Sequence, residues 1–241
     1  MEGLKVLSSI EYAFYHHMGY VIFDGIFLPE ECDAIIEEIE SHADSDFSAI
    51  MNLDRKSEAM RSIMRKWRVV KILEDLQGAE VVGLMSQVLF KKRGSAYAPQ
   101  AWNPHQDNAY PKAEHGAYIT INIFLEDADR ENGSLYAYAG SHHEGLLDAR
   151  PTVSHREAPG TNPGKVIKDP SRYLQYPRVD LSFKKGSMLV LHGNLVHGSY
   201  PNFSLTRNRP LLSISYITKG VPFWSGKNAK REPIELRPLI Y

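Results

Sequence analysis

Apolar positions recur with helical spacing in two stretches of the first third of the chain. The first stripe predicts a helix over residues 29–43, with Pro29 in a tolerated first-turn position. The second predicts a helix over residues 57–77, for which Gly78 is a suitable C-cap. The stripes consist of Cys32, Ile35, Ile36 and Ile39, and of Met60, Ile63, Met64, Trp67, Val70 and Leu73. Both helices are expected to bury one face in a core.

After Gly78 the pattern changes to short segments rich in β-branched and aromatic residues, separated by glycine, proline or asparagine. The predicted strands are 81–90, 117–125, 134–139, 187–191 and 210–218. Within residues 118–124 the isoleucines share one face, while the other face carries Tyr118, Thr120, Asn122 and Phe124. Polar residues on one face of a strand indicate either solvent or a polar cavity. The pattern predicts an α+β fold, with N-terminal helices followed by an antiparallel double-sheet barrel.

The segments are expected to form one domain. Its helical part covers about residues 1–78, its barrel 79–220 and its C-terminal tail 221–241. Residues 142–183 hold five prolines and no clear periodicity, and we interpret them as a mobile lid, with plain disorder as the competing explanation. The basic cluster at 227–231 is read as a solvated tail.

Composition narrows the partners. The 28 basic and 29 acidic residues are almost balanced, so nothing indicates nucleic-acid binding. Cys32 is the single cysteine, which excludes an internal disulfide and a cysteine-based zinc site and favours a reducing, cytoplasmic location. Residues 1–20 lack the features of a signal peptide, and no stretch is apolar enough for a membrane helix. Composition therefore gives no sign of a nucleic-acid or membrane partner.

A His-x-Asp motif at His105 and Asp107 carries the first chemical signal. On a strand, residues i and i+2 point to the same face, so both side chains can converge on one ion. His197, 92 residues after His105, supplies a third ligand at the end of a predicted strand. Two imidazoles and one carboxylate form the facial set of non-haem iron sites, which leaves three coordination positions open. Those positions suit a chelating 2-oxo acid and dioxygen.

A 2-oxo acid with a second carboxylate needs a cationic anchor. Arginine is the best partner because its guanidinium is a fixed, permanently charged fork. Arg209 begins the strand after His197, so a hairpin turn would return it to the metal face. Arg207 is the rival anchor.

Several motifs occur in an order that resembles the phytanoyl-CoA dioxygenase family, a branch of the Fe(II)/2-oxoglutarate oxygenases built on a double-stranded β-helix. They are Tyr-Val-Ile-Phe-Asp-Gly at 20–25, Pro-His-Gln-Asp at 104–107, Asn-Gly-Ser-Leu at 132–135, Ala-Gly-Ser-His at 139–142, Lys-Gly-Ser-Met-Leu-Val-Leu-His-Gly at 185–193, His-Gly-Ser at 197–199 and Arg-Pro-Leu-Leu-Ser at 209–213. Each motif is weak alone, and the ordered set is specific.

The resemblance implies the roles of individual residues. It makes His105, Asp107 and His197 the catalytic Fe(II) ligands and Arg209 the 2-oxoglutarate anchor. Further positions at the co-substrate are Asn122, Ser199 and, as a looser match, Lys92. The implied reaction uses dioxygen and 2-oxoglutarate to hydroxylate, or otherwise oxidise, a C–H bond of a small molecule. Because Asp107 is a carboxylate and not a small residue, the resemblance argues against halogenation.

Other readings stay open at this point. The aromatic residues near the motif, Tyr97, Trp102 and Tyr110, either line a substrate cavity or belong to the core. His192, on the strand before His197, is interpreted as structural. The chain as a whole is alternatively a catalytically silent member of the fold, or a cupin-like enzyme that uses zinc or manganese without a 2-oxo acid. Arg209 discriminates against the last reading, which has no need of it.

Overall fold

The helices gather in the first third of the chain, as the sequence predicts. The computed structural model describes residues 6–43, 49–151, 164–227 and 229–237. Within these residues the α-helices are α1 (Ser9–Met18), α2 (Pro29–Ser41), α3 (Glu58–Met64), α4 (Trp67–Gln77) and the short α5 (Ser171–Leu174). Single 3-10 turns occur at Leu53–Arg55, Asp107–Ala109 and Ser141–Glu144. None of the described helices is long and apolar enough to cross a membrane.

Two antiparallel sheets form the rest of the fold. The strands are β1 (Tyr20–Phe23), β2 (Ala49–Met51), β3 (Val81–Lys91), β4 (Trp102–His105), β5 (Tyr118–Phe124), β6 (Leu135–Tyr138), β7 (Ala149–Pro151), β8 (Lys165–Ile167), β9 (Arg178–Asp180), β10 (Met188–His192), β11 (His197–Ser199) and β12 (Arg209–Thr218). Six of them form a sheet in the order β1-β10-β5-β12-β3-β2, and four form a second sheet in the order β4-β11-β6-β9. Strands β7 and β8 pair only with each other.

The sheets resemble the two halves of a jelly roll, but the predicted barrel is not closed. Among the described residues, β1 and β2 end one ladder while β4 and β9 end the other. The α+β class is confirmed, and the barrel is corrected to a pair of open sheets. Packing of side chains between sheets, which needs no edge-to-edge hydrogen bonds, joins the two halves.

The alternation in β5 divides the interior into two zones. Ile119, Ile121 and Ile123 face α1 to α4 in the larger apolar core, together with residues of β10 and β12. Phe124 faces the opposite way and packs in a smaller core against the second sheet, stacked on Phe183 at a centroid distance of 3.6 Å. Full burial of each such side chain contributes about 1.5–3 kcal/mol. The helices therefore support the outer face of the large sheet and leave its inner face for the site.

The predicted helix over 57–77 is wrong in one respect, because it is broken between α3 and α4. Met60 and Met64 are buried on α3, and a continuous helix from them would bring Lys71 and Asp75 onto the core face. The interruption at Lys66, whose ψ of 117° is not helical, shifts the phase, and Lys71 then pairs with Asp75 instead. Trp67, placed in the predicted stripe, is 62% exposed as a result. The Gly78 cap is confirmed, with φ of 64°.

Helix α1 was not predicted, although its signal is present in the sequence. Ser8 and Glu11 form a capping box in which the Glu11 N–H donates to Ser8 Oγ at 3.1 Å and the Ser8 N–H donates to the Glu11 carboxylate at 2.7 Å. Gly19 ends the helix in the left-handed conformation, with φ of 81°. Both caps are visible in the sequence, but the apolar residues between them are spaced too irregularly to predict the helix.

The predicted lid, 142–183, is only partly free of regular structure. Residues 152–163 lie outside the described residues. The described parts hold β7, β8, α5 and β9, with β9 joining the four-stranded sheet and Tyr173 buried against Tyr138. The expectation of a stretch without elements is therefore wrong for these parts, because short strands of three residues carry no readable periodicity. Motion of the segment over the site stays a prediction.

Candidate active site

A cavity of about 390 Å³ lies between the two sheets. The alternating polar positions of the large sheet, Thr120 and Asn122 on β5 and Ser213 and Ser215 on β12, line it. Strand register brings these four together, since Ser213 is opposite Asn122 and Ser215 is opposite Thr120. The polar strand face read from the sequence is thus a cavity wall and not a solvent face.

His105, Asp107 and His197 meet at one side of this cavity. His105 ends β4 and lies directly opposite His197, the first residue of β11. One potential ligand atom from each of the three residues lies within 4.8 Å of the other two. Asp107 Oδ1 is 3.6 Å from His105 Nε2 and 3.8 Å from His197 Nε2. Ligand atoms in a facial set about 2.1 Å from a metal lie about 3 Å apart, so a small contraction would make the set suitable for a metal.

Both imidazoles are oriented by backbone carbonyls. His105 Nδ1 lies 2.8 Å from the carbonyl oxygen of Asn103, and His197 Nδ1 lies 3.1 Å from that of Leu195. A carbonyl only accepts, so each contact requires the proton on Nδ1. Each Nε2 then carries its lone pair toward the cavity. This is the arrangement that fixes the tautomer and ring plane of metal-ligating histidines.

The expected geometry of the His-x-Asp motif needs a correction. The strand ends at His105, and Asp107 begins a 3-10 turn, so the two residues do not share a strand face. The neighbours of Asp107 hold it in place instead. Gln106 Nε2 donates to the carbonyls of Gly145 and Asn194 at 2.7 and 2.6 Å. Asn108 Nδ2 donates to Asn194 Oδ1 at 2.8 Å, and Asn108 Oδ1 accepts the Ala113 N–H at 2.8 Å.

Gln106, Asn108 and Asn194 are therefore positioning residues that the sequence analysis missed. Gln106 and Asn108 are 1% exposed and point away from the cavity while Asp107 points into it. A buried amide needs partners, so two such residues flanking a candidate ligand were a signal of a constrained turn.

Burial and the neighbouring side chains shift the pKa values of the set in opposite directions. Burial would raise the pKa of the Asp107 carboxyl, but the adjacent His197 and His105 outweigh it and hold that pKa below its usual range. Burial lowers the pKa of His197 to about 4, even though the Asp107 charge opposes the change. At neutral pH the carboxylate is ionised and His197 is neutral. These are the protonation states that metal binding requires.

The two candidate anchors, Arg207 and Arg209, lie in different environments. Arg209 lines the cavity and is 1% exposed; its Nη1 donates to the Leu89 carbonyl at 3.2 Å, and its Nε has no hydrogen-bond partner among the described residues. Arg207 instead forms ion pairs with Asp129 and Glu131, each at 2.7 Å. Burial lowers the pKa of Arg209 to about 10. A desolvated guanidinium without a described acidic partner is ready to bind an anion.

Lys91, not Lys92, accompanies Arg209. Lys92 is exposed beyond the end of β3, whereas Lys91 is fully buried opposite Arg209, and neither lysine lines the cavity itself. Lys91 Nζ donates to Ser199 Oγ at 2.9 Å and to the Tyr200 carbonyl. Burial, and then the Arg209 charge, keep the pKa of Lys91 well below its usual value. The placement of Lys92 was wrong by one residue, which on a strand reverses the direction of the side chain.

The remaining predicted site residues line the cavity. They are Asn122, Ser199, Tyr97, Trp102 and Tyr110. Trp102 Nε1 donates to the Tyr97 hydroxyl at 2.9 Å, so these two rings form one wall.

His192 lies outside the cavity lining, in a separate group of histidines. Its ring centroid is 4.8 Å from that of His142 and 4.9 Å from that of His115. Its Nδ1 accepts the Asn194 N–H at 3.0 Å, which requires an unprotonated nitrogen. The structural interpretation of His192 fits this position under the β10–β11 connection.

Sequence comparison assigns the family. The family model described as Phytanoyl-CoA dioxygenase (PhyH) matches residues 15–209. The chain belongs to this family. The match begins in α1, includes all three candidate metal ligands and ends at Arg209, so the resemblance read from the ordered motifs is confirmed.

Curated relatives in the family are moderately similar. The chain is 32% identical over 126 residues to a phytanoyl-CoA dioxygenase of Arabidopsis thaliana, covering 52% of this chain and 41% of that protein. It is 27% identical over 161 residues to a probable alpha-ketoglutarate-dependent hypophosphite dioxygenase of Stutzerimonas stutzeri, covering 64% of this chain and 52% of that protein. The chain spans about half the length of these relatives.

Solved structures share the fold of this phytanoyl-CoA dioxygenase family member. The epimerase SnoN from nogalamycin biosynthesis, a non-haem alpha-ketoglutarate-dependent enzyme, superposes with a TM-score of 0.72 at 21% identity over 95% of both chains. At this identity the likeness concerns the architecture alone.

Proposed function

We propose that this chain is an Fe(II)- and 2-oxoglutarate-dependent dioxygenase that hydroxylates, or otherwise oxidises, a C–H bond of a small molecule. One observation carries the proposal: the His105, Asp107 and His197 set shares a cavity with Arg209, a buried cation that has no acidic partner among the described residues. A metal site alone would fit many enzymes. The anion anchor beside it adds the specific requirement of a 2-oxo diacid.

The donor set fits iron. Two imidazoles and one carboxylate on one side leave the opposite positions free, and the set contains no cysteine that would favour a closed zinc site. His105, Asp107 and His197 would hold the metal through Nε2, Oδ1 and Nε2. When bound, iron supplies the activation of dioxygen, coupled to conversion of 2-oxoglutarate to succinate and carbon dioxide. The protein contributes orientation of the ligands through the carbonyls of Asn103 and Leu195 and through the locked Asp107 turn.

The cavity also fits an anionic co-substrate. Arg209 Nε and Ser215 Oγ are buried polar atoms without a hydrogen-bond partner among the described residues, and both residues line the cavity. Buried polar groups are rarely left unpaired, so a bound polar molecule is expected to satisfy them. Arg209 would bind the distal carboxylate, with Lys91 and Ser199 beside it. Asn122 would contribute a further hydrogen bond.

The aromatic wall is assigned to the prime substrate. Tyr97, Trp102 and Tyr110 line the cavity on the side of β4 and the turn that follows. Their rings exclude water from the region next to the metal ligands, which limits side reactions.

Two alternatives are less well supported. A catalytically silent member would not need an intact ligand set together with an unneutralised anchor, since an unpaired buried cation lowers stability. A zinc or manganese cupin-like enzyme without a 2-oxo acid would leave Arg209 without a role.

The decisive experiment combines binding and turnover. Anaerobic calorimetry measures 2-oxoglutarate binding to Fe(II)-loaded protein, and succinate formation is then followed in air. We expect binding and succinate formation in the wild type, loss of both in His197→Ala, and retention in the exposed-histidine control His143→Ala. Absence of 2-oxoglutarate binding would reject the proposal. Binding without succinate across a substrate panel would favour the silent member.

A further inference from the structure

A second basic pair, Arg231 and Lys165, lines the same cavity and has no role in the function proposed above. Arg231 lies in the segment expected to be a solvated tail, yet it is only 8% exposed. The chain returns to the sheets here, since Ile234 bridges Gly83. Arg231 Nε donates to the Tyr118 hydroxyl at 3.4 Å. Lys165, on β8, donates through Nζ to the Ala109 carbonyl at 2.5 Å.

Both cations surround one aromatic ring. Lys165 Nζ lies 5.3 Å and Arg231 Cζ 5.6 Å from the centroid of Tyr110. The Tyr110 hydroxyl is itself fixed, because it accepts the Lys165 N–H at 3.0 Å. The three groups therefore form a rigid corner of the cavity, with two positive charges over a tyrosine.

Neither cation is neutralised by an acidic group in the part of the chain that the structure describes. Other cations of the protein show the contrast: Arg207 pairs with Asp129, and Arg237 pairs with Glu74 at 2.7 Å. Burial lowers the pKa of Lys165, and the charges of Lys112 and Arg231 lower it further. Uncompensated charge at low exposure is unfavourable unless an anion is bound there.

This corner lies far from the co-substrate anchor. On β12, Arg209 is opposite Lys91, whereas Ile217, eight residues later, is opposite Tyr118. That spacing is about 26 Å along the strand. Ser199, which accepts a hydrogen bond from Lys91 at the Arg209 end, is two residues after His197. Tyr110, at the Arg231 end, is three residues after Asp107. The candidate metal ligands therefore lie between the two basic ends. A five-carbon diacid bound at Arg209 does not reach Arg231.

We infer that the prime substrate carries an anionic group, carboxylate or phosphate-type, which Arg231 and Lys165 bind at the end of the cavity opposite Arg209. This inference rests on the proposed function. The wall between the ends combines apolar side chains, such as Met51 and Met85, with polar ones, such as Gln87. The anion fixes one end and thereby selects which C–H bond faces the metal ligands.

The test uses matched small probes. Benzoate and phenylphosphonate carry the anion, and benzamide is the neutral counterpart of benzoate. Binding of each is measured by calorimetry, without oxygen, to Fe(II)-loaded protein saturated with 2-oxoglutarate. We expect benzoate or phenylphosphonate to bind at least about tenfold more tightly than benzamide, a difference of about 1.4 kcal/mol. Whichever anion binds more tightly identifies the substrate group.

Substitutions test whether Arg231 and Lys165 cause the preference for the anion over benzamide. Arg231→Gln and Lys165→Gln are each expected to remove it while benzamide binding is unchanged. Lys168→Gln is the matched control, since Lys168 is three residues away with a side chain 55% exposed, and it should keep the preference. Arg231→Lys should restore most of it. Equal binding of anion and amide in the wild type, or the same loss in Lys168→Gln, would overturn the inference.

The outcome is separable from that of the proposed function. 2-Oxoglutarate binding should be unchanged in Arg231→Gln and strongly weakened in Arg209→Met. If Arg231→Gln weakens 2-oxoglutarate binding as much as Arg209→Met does, Arg231 and Lys165 serve the co-substrate. The inference then fails while the proposed function stands. If the wild type does not bind 2-oxoglutarate, the proposed function fails, and the probe comparison without it still decides whether the corner selects anions.

Discussion

Replacing Arg209 by methionine should weaken 2-oxoglutarate binding and at the same time stabilise the protein without co-substrate. The guanidinium is fully buried, and burial lowers its pKa from 12.5 to about 10. That displacement corresponds to about 3 kcal/mol of unfavourable burial of the charge. Methionine keeps the apolar stem without the charge. The free energy of unfolding of the Arg209→Met protein, measured without co-substrate, should therefore exceed that of the wild type by up to about 3 kcal/mol at neutral pH.

The binding effect has the opposite sign. The carboxylate of the co-substrate loses its buried partner, which costs about 3–5 kcal/mol, roughly 100-fold or more in the dissociation constant. Calorimetry gives the dissociation constant, and chemical denaturation with and without 2-oxoglutarate gives both free energies. Weaker binding together with higher stability distinguishes an anion anchor from a structural arginine, because removal of a structural arginine would lower stability.

Arg207→Met is the matched control. Arg207 is held by Asp129 and Glu131 at the surface, so its loss should leave 2-oxoglutarate binding within about threefold. A large loss in Arg207→Met, or Arg209→Met binding like the wild type, would show that the anchor is misassigned. A loss of stability in Arg209→Met would contradict the account of its burial.

Three further predictions concern the ligands, the Asp107 turn and the buried histidines. Alanine at any of the three metal ligands should abolish Fe(II) binding, measured by metal analysis, while the melting temperature stays near that of the metal-free wild type; unchanged metal content would remove that residue from the set. Asn108→Ala should lower Fe(II) affinity about 10–100-fold in a chelator competition, and a loss of stability alone would make Asn108 only structural. Burial lowers the pKa of His192 to about 3 and that of His142 to about 4, so the unfolded chain binds protons that the folded chain excludes. Stability is then full above about pH 6.5 and falls on acidification, by about 2 kcal/mol at pH 5 from His192 alone; a denaturation series should show this, and an identical slope in His192→Gln would contradict it.

The sequence by itself determined five of the described strands, β3, β5, β6, β10 and β12, and one face of the site. The alternation in residues 118–124 depends only on the period of a strand, so it correctly placed Thr120 and Asn122 together. The three candidate metal ligands were also readable, since their chemistry depends on residue type, and the structure brings them together. For the anchor, the sequence favoured Arg209, which begins a strand and matches the family, and left Arg207 as its rival.

Only the tertiary structure decided between those arginines, since the ion pairs of Arg207 involve residues 76 to 78 positions away in sequence. It likewise replaced Lys92 by Lys91, because strand β3 extends one residue further than predicted and register determines which lysine points inward. The return of Arg231 from the C-terminal segment into the cavity depends on a bridge between Ile234 and Gly83, about 150 residues apart. Local patterns describe what a segment tends to form. Which charges become buried together depends on contacts between distant segments, and these contacts determine the chemistry of the cavity.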